Sequence, residues 1–185
     1  DNVTFVRAEL GAWTPEAPFD ALVGRFVLMH QPDPAAALRD ASRHVRAGGV
    51  VAFLESQMSA SVAGAHSWPH SATYERALGW MRAVVAAAGA HADMGLRLRA
   101  TFLDAGLSAP ELLLSVEPQG GPGAPVYRYI AESVRSMAPL LARFGIATPS
   151  PADVEDLAAT LERETIQANG VLVPPIVVGA SARTR

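Results

Sequence analysis

The chain has 185 residues, half of them hydrophobic, 18% charged and 6% aromatic, with no cysteine and a formal net charge of -3. That is one domain's worth of polypeptide with ample apolar material for a core, which excludes intrinsic disorder, a disulfide scaffold, a thiolate nucleophile, an iron–sulfur cluster and a cysteine-based zinc finger. All fifteen basic residues are Arg, so a Schiff base with pyridoxal phosphate and a phosphate-binding-loop lysine are excluded too.

In chain order, residues 3–7 are short, β-branched and aromatic, and read as a first strand. Residues 19–28 form a nearly continuous apolar run, the pattern of a central strand covered on both faces of a parallel sheet. Asp33-Pro34 is an N-cap followed by proline at the first helical position, and Leu38, Ala41, Ser42 and Val45 continue at helical spacing. Gly48-Gly49 is expected to stop that helix before a buried strand at 50–55. Strand, helix and strand in this order make a parallel βαβ unit, and the fold class is α/β.

Residues 58–71 read as a polar loop, followed by helices at 72–88 and 94–105, the second closing at Gly106. A strand at 110–117 and a Gly- and Pro-rich loop at 118–125 come next. Helices are expected at 126–144 and 151–167, the latter opening with Ser150 as N-cap, and a last strand at 175–182.

The charge balance argues against a nucleic acid partner, which calls for a concentrated basic surface. It leaves a small, roughly neutral substrate. The longest apolar stretches, 83–92 and 171–180, are far shorter than a bilayer span, and the first residues lack the basic and apolar regions of a signal peptide. A cytoplasmic protein with no membrane partner is expected.

The segments 2–9, 19–34 (with Phe19-Asp20, Arg25-Phe26, Met29-His30 and Asp33-Pro34), Arg46-Ala47-Gly48-Gly49 and Phe53-Leu54-Glu55 together resemble class I S-adenosylmethionine-dependent methyltransferases. Within that group the likeness is to small-molecule enzymes of the ubiquinone and menaquinone biosynthesis type. The resemblance implies a Rossmann-like sheet, parallel with an antiparallel last strand. Residues 58–106 would supply lid and pocket helices, and 126–168 a helical insertion before the last strand. The family's opening strands, with an acidic residue and Gly-x-Gly-x-Gly turn, have no counterpart in residues 1–185, and Gly48-Gly49 follows a helix pattern and cannot serve as that turn. The chain therefore reads as a single, partial methyltransferase domain. Its gap would be filled by a preceding segment, or by another chain through dimerisation or strand exchange.

The resemblance also implies the site. Glu9 or the backbone of Leu10 would meet the adenine of S-adenosylmethionine, at the strand ends where an open α/β sheet binds its ligand. Arg25, Phe26 and His30, just past the second strand run, would line the methionine half and face the acceptor. His30 is the best candidate for a general base, because imidazole titrates near neutral pH, although a satisfied structural histidine is the commoner reading of such a residue. Trp68, Tyr74, Trp80 and Tyr127 are candidates for an apolar acceptor pocket or plain core. His66 and His70 have a metal-like spacing, but Pro69 disrupts a helix there and no Glu follows His66, so no metal is expected and a lid or pocket-wall role is preferred.

The activity so implied is methyl transfer to an oxygen, nitrogen or carbon of a small molecule. The rival from another class is a non-catalytic methyltransferase-like subunit that completes a second chain. A nicotinamide oxidoreductase is disfavoured, since a chain without lysine has no Tyr-x-x-x-Lys pair.

Overall fold

In the computed structural model, which describes residues 2–8, 13–58, 66–147 and 149–185, thirteen elements follow one another. They are β1 (Phe19–Arg25), a 3-10 turn (Leu28–His30), α1 (Pro34–Ser42), β2 (Val45–Gln57), β3 (Ser67–Trp68), α2 (Ala72–Ala87), α3 (Met94–Asp104), β4 (Glu111–Ser115), α4 (Pro125–Arg143), α5 (Pro151–Glu155), α6 (Leu157–Gln167), β5 (Val171–Leu172) and β6 (Ile176–Arg183). Packing divides them into two units. The first comprises Asp1–Ser56, Met94–Leu114 and Val178–Arg185; the second comprises Gln57–Asp93 and Ser115–Val177.

The first unit is built on a sheet of order β1-β2-β6-β4. β1 and β2 run parallel, with Ala21 opposite Val50 and Arg25 opposite Leu54. α1 makes the crossover between them, and Asp33 caps it by accepting from the Ala36 N–H at 2.9 Å. β6 is antiparallel to β2: Thr184 exchanges backbone hydrogen bonds with Gly48 and Gly49, whereas Gly179 lies against Leu54. An α/β sheet with an antiparallel last strand is thus observed, as the resemblance implies.

Along β2, Val51, Phe53 and Glu55 are buried and Ala52 and Leu54 only half-buried, the period-2 signature of two unlike faces. Phe53 meets Phe102 of α3 edge-on, with ring centroids 6.4 Å apart. Leu38 of α1 and Leu98 of α3 are fully buried, and the Arg39 guanidinium donates to the Asp104 carbonyl at 2.6 Å. The opposite face is open. Gly179 sits there between Leu54 and Leu113, and Val23 and Leu113 are 76% and 69% exposed.

Three expectations are corrected. Residues 3–7 are irregular, with Phe5 94% exposed; β-branched residues favour a strand only where a neighbouring strand pairs with them. The run at 19–28 is neither central nor covered on both faces. β1 lies at one end of the order and stops at Arg25, because Phe26 turns the chain with φ +54. An apolar run records composition, not how many faces find a partner.

Gly48-Gly49 does not stop a helix, since α1 has already ended at Ser42 and both glycines lie inside β2. The pairing jumps from Phe19 opposite Val45 to Ala21 opposite Val50, and Gly48 takes φ +74 within that irregularity. Glycine serves a bulge for the same reason that it serves a helix end.

The second unit is helical. α2 packs on α4, which also contacts α5 and α6. Within the expected loop, β3 pairs antiparallel with β5, Ser67 opposite Leu172. Ser150 and Asp153 form a reciprocal capping box at the start of α5. The helix expected at 151–167 is broken at Asp156, which ends α5 and starts α6, an end position that suits an aspartate better than a helix interior.

A Cβ added at Gly24 would overlap the Phe53 ring. Gly24→Ala should therefore lower stability by about 1–3 kcal/mol through overpacking. Gly79→Ala, where a Cβ meets nothing within 4 Å inside α2, should raise it by up to about 1 kcal/mol. Urea denaturation midpoints of the two variants check both signs.

Candidate functional site

The pairing of β1 with β2 sets up the turn that follows. The Phe26 N–H donates to the Leu54 carbonyl at 2.9 Å, extending the ladder by one bond. Phe26 then adopts φ +54, a conformation uncommon for a bulky residue that must be held by its surroundings. The holding group is Glu55, the next residue of β2.

Glu55 is fully buried. Its Oε1 accepts from the N–H groups of Val27 at 3.0 Å and Leu28 at 2.8 Å, and its Oε2 from that of Met29 at 3.3 Å. Successive N–H groups converging on one anion are the chemistry of a helix N-terminus, here serving a side chain of the protein itself. The turn closes with His30 N–H donating to the Val27 carbonyl at 3.2 Å and Gln31 N–H to that of Leu28 at 3.0 Å. Leu28 and Met29 are buried beneath it.

What the turn shows outward is the predicted set. Arg25 is exposed, and its guanidinium lies 4.3 Å from the centroid of the half-buried Phe26 ring. His30 is exposed at the last position of the 3-10 turn. Arg25, Phe26 and His30 are therefore gathered in one turn at the carboxyl end of a parallel strand. Glu9 and Leu10 lie outside the described residues.

The sequence reading assigned no role to Glu55. The signal was present all the same: Val51, Phe53 and Glu55 alternate on one face, and a carboxylate continuing an inward stripe needs partners.

The four aromatic residues proposed for the acceptor, all in the second unit, have different surroundings. Trp68 is 75% exposed and borders an open hollow with Ser71, Glu164 and Gly170. Tyr74 is fully buried and donates its hydroxyl to the Val173 carbonyl at 2.8 Å. Burial, helped by Tyr129 and Glu75, pushes that hydroxyl well above its ordinary range, so it stays an O–H donor. Trp80 is half-buried with the Arg76 guanidinium 6.0 Å from its ring. Tyr127 is buried, donates to the Gly121 carbonyl at 3.1 Å and edges a separate hollow.

The second unit also holds a cavity that the sequence reading did not name, bordered by Met58, His66, Leu78, Arg82, Pro174 and Pro175. Among the described residues no group of three or more His, Asp or Glu is placed to hold a metal ion, and no helix is long and apolar enough to cross a membrane.

Comparison with known proteins gives the following. Residues 2–53 match the family model of a methyltransferase domain. Over 52 residues the chain is 42% identical to trans-aconitate 2-methyltransferase of Azoarcus sp. (strain BH72), a match that covers 28% of this chain and 21% of that protein. The crystal structure of a candidate methyltransferase from Bacillus halodurans C-125 aligns with a TM-score of 0.50 at 14% identity, over 96% of this chain and 69% of that one. The YcgJ protein from Bacillus subtilis does so with a TM-score of 0.50 at 13% identity, over 100% and 73%. At such identities the structural likeness speaks for the fold.

Glu55→Ala would leave the buried Leu28 and Met29 N–H groups and the part-buried Val27 N–H without this acceptor and should cost about 3–5 kcal/mol, at roughly 1–3 kcal/mol for each buried orphan with partial relaxation. Glu55→Gln keeps one carbonyl oxygen for the Val27 and Leu28 donors and should cost less, about 1–3 kcal/mol. Urea denaturation gives the ranking, and amide exchange at Leu28 should accelerate in both variants.

Proposed function

We propose that this chain, which has the class I methyltransferase fold and whose residues 2–53 match a methyltransferase domain, moves a methyl group from S-adenosylmethionine to an oxygen, nitrogen or carbon of a small organic molecule. The observation that carries the reading is the turn after β1. It presents Arg25, Phe26 and His30 at the carboxyl end of a parallel strand, where open α/β sheets take their ligands.

The cofactor, when bound, brings an activated methyl group on sulfur. The tasks left to the protein are alignment, exclusion of water and removal of a proton from the acceptor. The donor set suits the methionine half of such a molecule: the exposed Arg25 guanidinium offers N–H groups and positive charge to a carboxylate, and Phe26 an apolar wall. By resemblance Glu9 and Leu10 meet the adenine. His30, exposed in the same turn, takes the acceptor's proton. Within the second unit, taken by itself, Trp68 and Trp80 keep indole surface open to an apolar molecule, while the hydroxyls of Tyr74 and Tyr127 are engaged with backbone carbonyls.

A second reading has its own observation. The open face of the sheet carries Val23 and Leu113 largely exposed, and among the described residues β1 has a free edge. A chain with such a face works as a methyltransferase-like subunit that seats it on a second copy, through dimerisation or strand exchange.

Size-exclusion chromatography with light scattering, combined with calorimetric titration of S-adenosylhomocysteine, separates the two. One-to-one binding by a monomer supports the enzyme and excludes the subunit; a dimer without binding heat does the reverse. For the enzyme, His30→Ala should slow methyl transfer and change the shape of its pH–rate profile, and an unchanged profile would refute the base assignment.

A further inference from the structure

The turn after β1 contains a conflict that one side chain resolves. Phe26 stands at φ +54, a left-handed conformation that crowds Cβ against the following carbonyl and that glycine, not phenylalanine, adopts freely. On one side the residue is fixed as the continuation of β1, its N–H donating to the Leu54 carbonyl at 2.9 Å. On the other side it is fixed by the next three residues. The Val27 and Leu28 N–H groups donate to Oε1 of Glu55 at 3.0 and 2.8 Å, and the Met29 N–H to Oε2 at 3.3 Å. Hydrogen bonds to a charged acceptor are about twice as strong as neutral ones, so three of them outweigh the strain of a single residue.

The outward side chains lie on both sides of that strained residue. Arg25 precedes it, with its guanidinium 4.3 Å from the centroid of the Phe26 ring. His30 follows it by four residues, at the end of the 3-10 turn. Return of Phe26 from φ +54 to the ordinary right-handed region is a rotation of roughly 120° about one backbone bond. Such a rotation swings the residues after Phe26 against those before it and parts the Phe26 ring from Arg25. Among the described residues the Glu55 carboxylate accepts only from backbone N–H groups of this turn. It reaches Arg25 and His30 through the backbone, not by touching them.

We propose that Glu55 is the positioning residue of this turn: by holding Phe26 in the left-handed conformation, its buried carboxylate keeps Arg25, Phe26 and His30 in the one arrangement that receives the cofactor. As a statement about cofactor binding it rests on the function proposed above. As a statement about the turn it stands on its own. Glu55 lies two residues beyond the matched segment 2–53 and within the same unit as the turn.

A double-mutant cycle on the full chain tests it, read by calorimetric titration of S-adenosylhomocysteine. Glu55→Gln keeps the size of the side chain, loses the charge and turns an amide NH2 toward N–H donors, and should weaken binding about tenfold. Phe26→Gly loses the ring but removes the strain that Glu55 has to hold, so adding Glu55→Gln to it should weaken binding by less than about threefold. A side chain that served stability alone would leave folded Glu55→Gln at wild-type affinity, or give the same factor in both backgrounds, and either result overturns the proposal. Should Glu55→Gln fail to fold, Glu55→Asp, which keeps the charge one methylene short, takes its place in the cycle with the same expectations. A second readout needs no cofactor: the Arg25 side-chain NMR signals carry the ring-current shift of Phe26 and should lose it in the residue 55 variant. If the wild-type chain does not bind S-adenosylhomocysteine, the methyl-transfer reading falls and the Arg25 shift decides by itself, its loss upholding the positioning role and its persistence overturning it. Wild-type binding that is indifferent to residue 55 removes the positioning role and leaves the methyl-transfer reading in place.

Discussion

A single carboxylate organises the functional end of the first unit. Glu55 sits where the β2 stripe of Val51 and Phe53 demands an apolar side chain, and three N–H groups of the turn after β1 make its burial tolerable. The dependence is mutual, since without Glu55 those N–H groups, two of them buried, would lose their acceptor. With each orphan costing roughly 1–3 kcal/mol, the cluster is comparable to a large share of a domain's net stability of about 5–15 kcal/mol. The positive φ of Phe26 is maintained by this constraint. The strand register delivers it: Arg25 pairs with Leu54, so the residue after Leu54 reaches the residues after Arg25. Arg25, Phe26 and His30 owe their common placement to a ladder and one side chain, not to any local motif.

What the sequence disclosed and what it concealed follow the range of the interactions involved. The start of α1 at Asp33-Pro34, the Ser150–Asp153 box and the extents of α2 and α3 were legible because their determinants lie within about one helical turn. Residues 3–7 read as a strand and are irregular, because β propensity is realised only against a neighbour. Gly48-Gly49 read as a helix stop because a glycine's freedom at positive φ looks the same whether a helix ends or a strand bulges. Glu55 lies 26 to 28 residues from its donors, a separation at which a sequence states that a polar group is buried but not what receives it.

The second unit illustrates the same limit with aromatic residues. Tyr74 and Tyr127 were singled out for the surface their rings could offer an acceptor, yet each hydroxyl ties down a backbone carbonyl. Tyr74 reaches Val173, 99 residues on, and Val173 in turn is bonded to His66. Choosing residues by type found a strut of the cavity in Tyr74 and one of its bordering residues in His66, but not the rest of its lining.

The distribution of likeness along the chain follows its division into two units. The segment 2–53 that matches a methyltransferase domain ends at Phe53, two residues before Glu55, and it contains β1, α1 and the turn bearing Arg25, Phe26 and His30. The second unit, with its capped helices and its cavity around Arg82, lies entirely outside it. The family match is confined to the first unit, so whatever the second unit does has to be argued from its own residues.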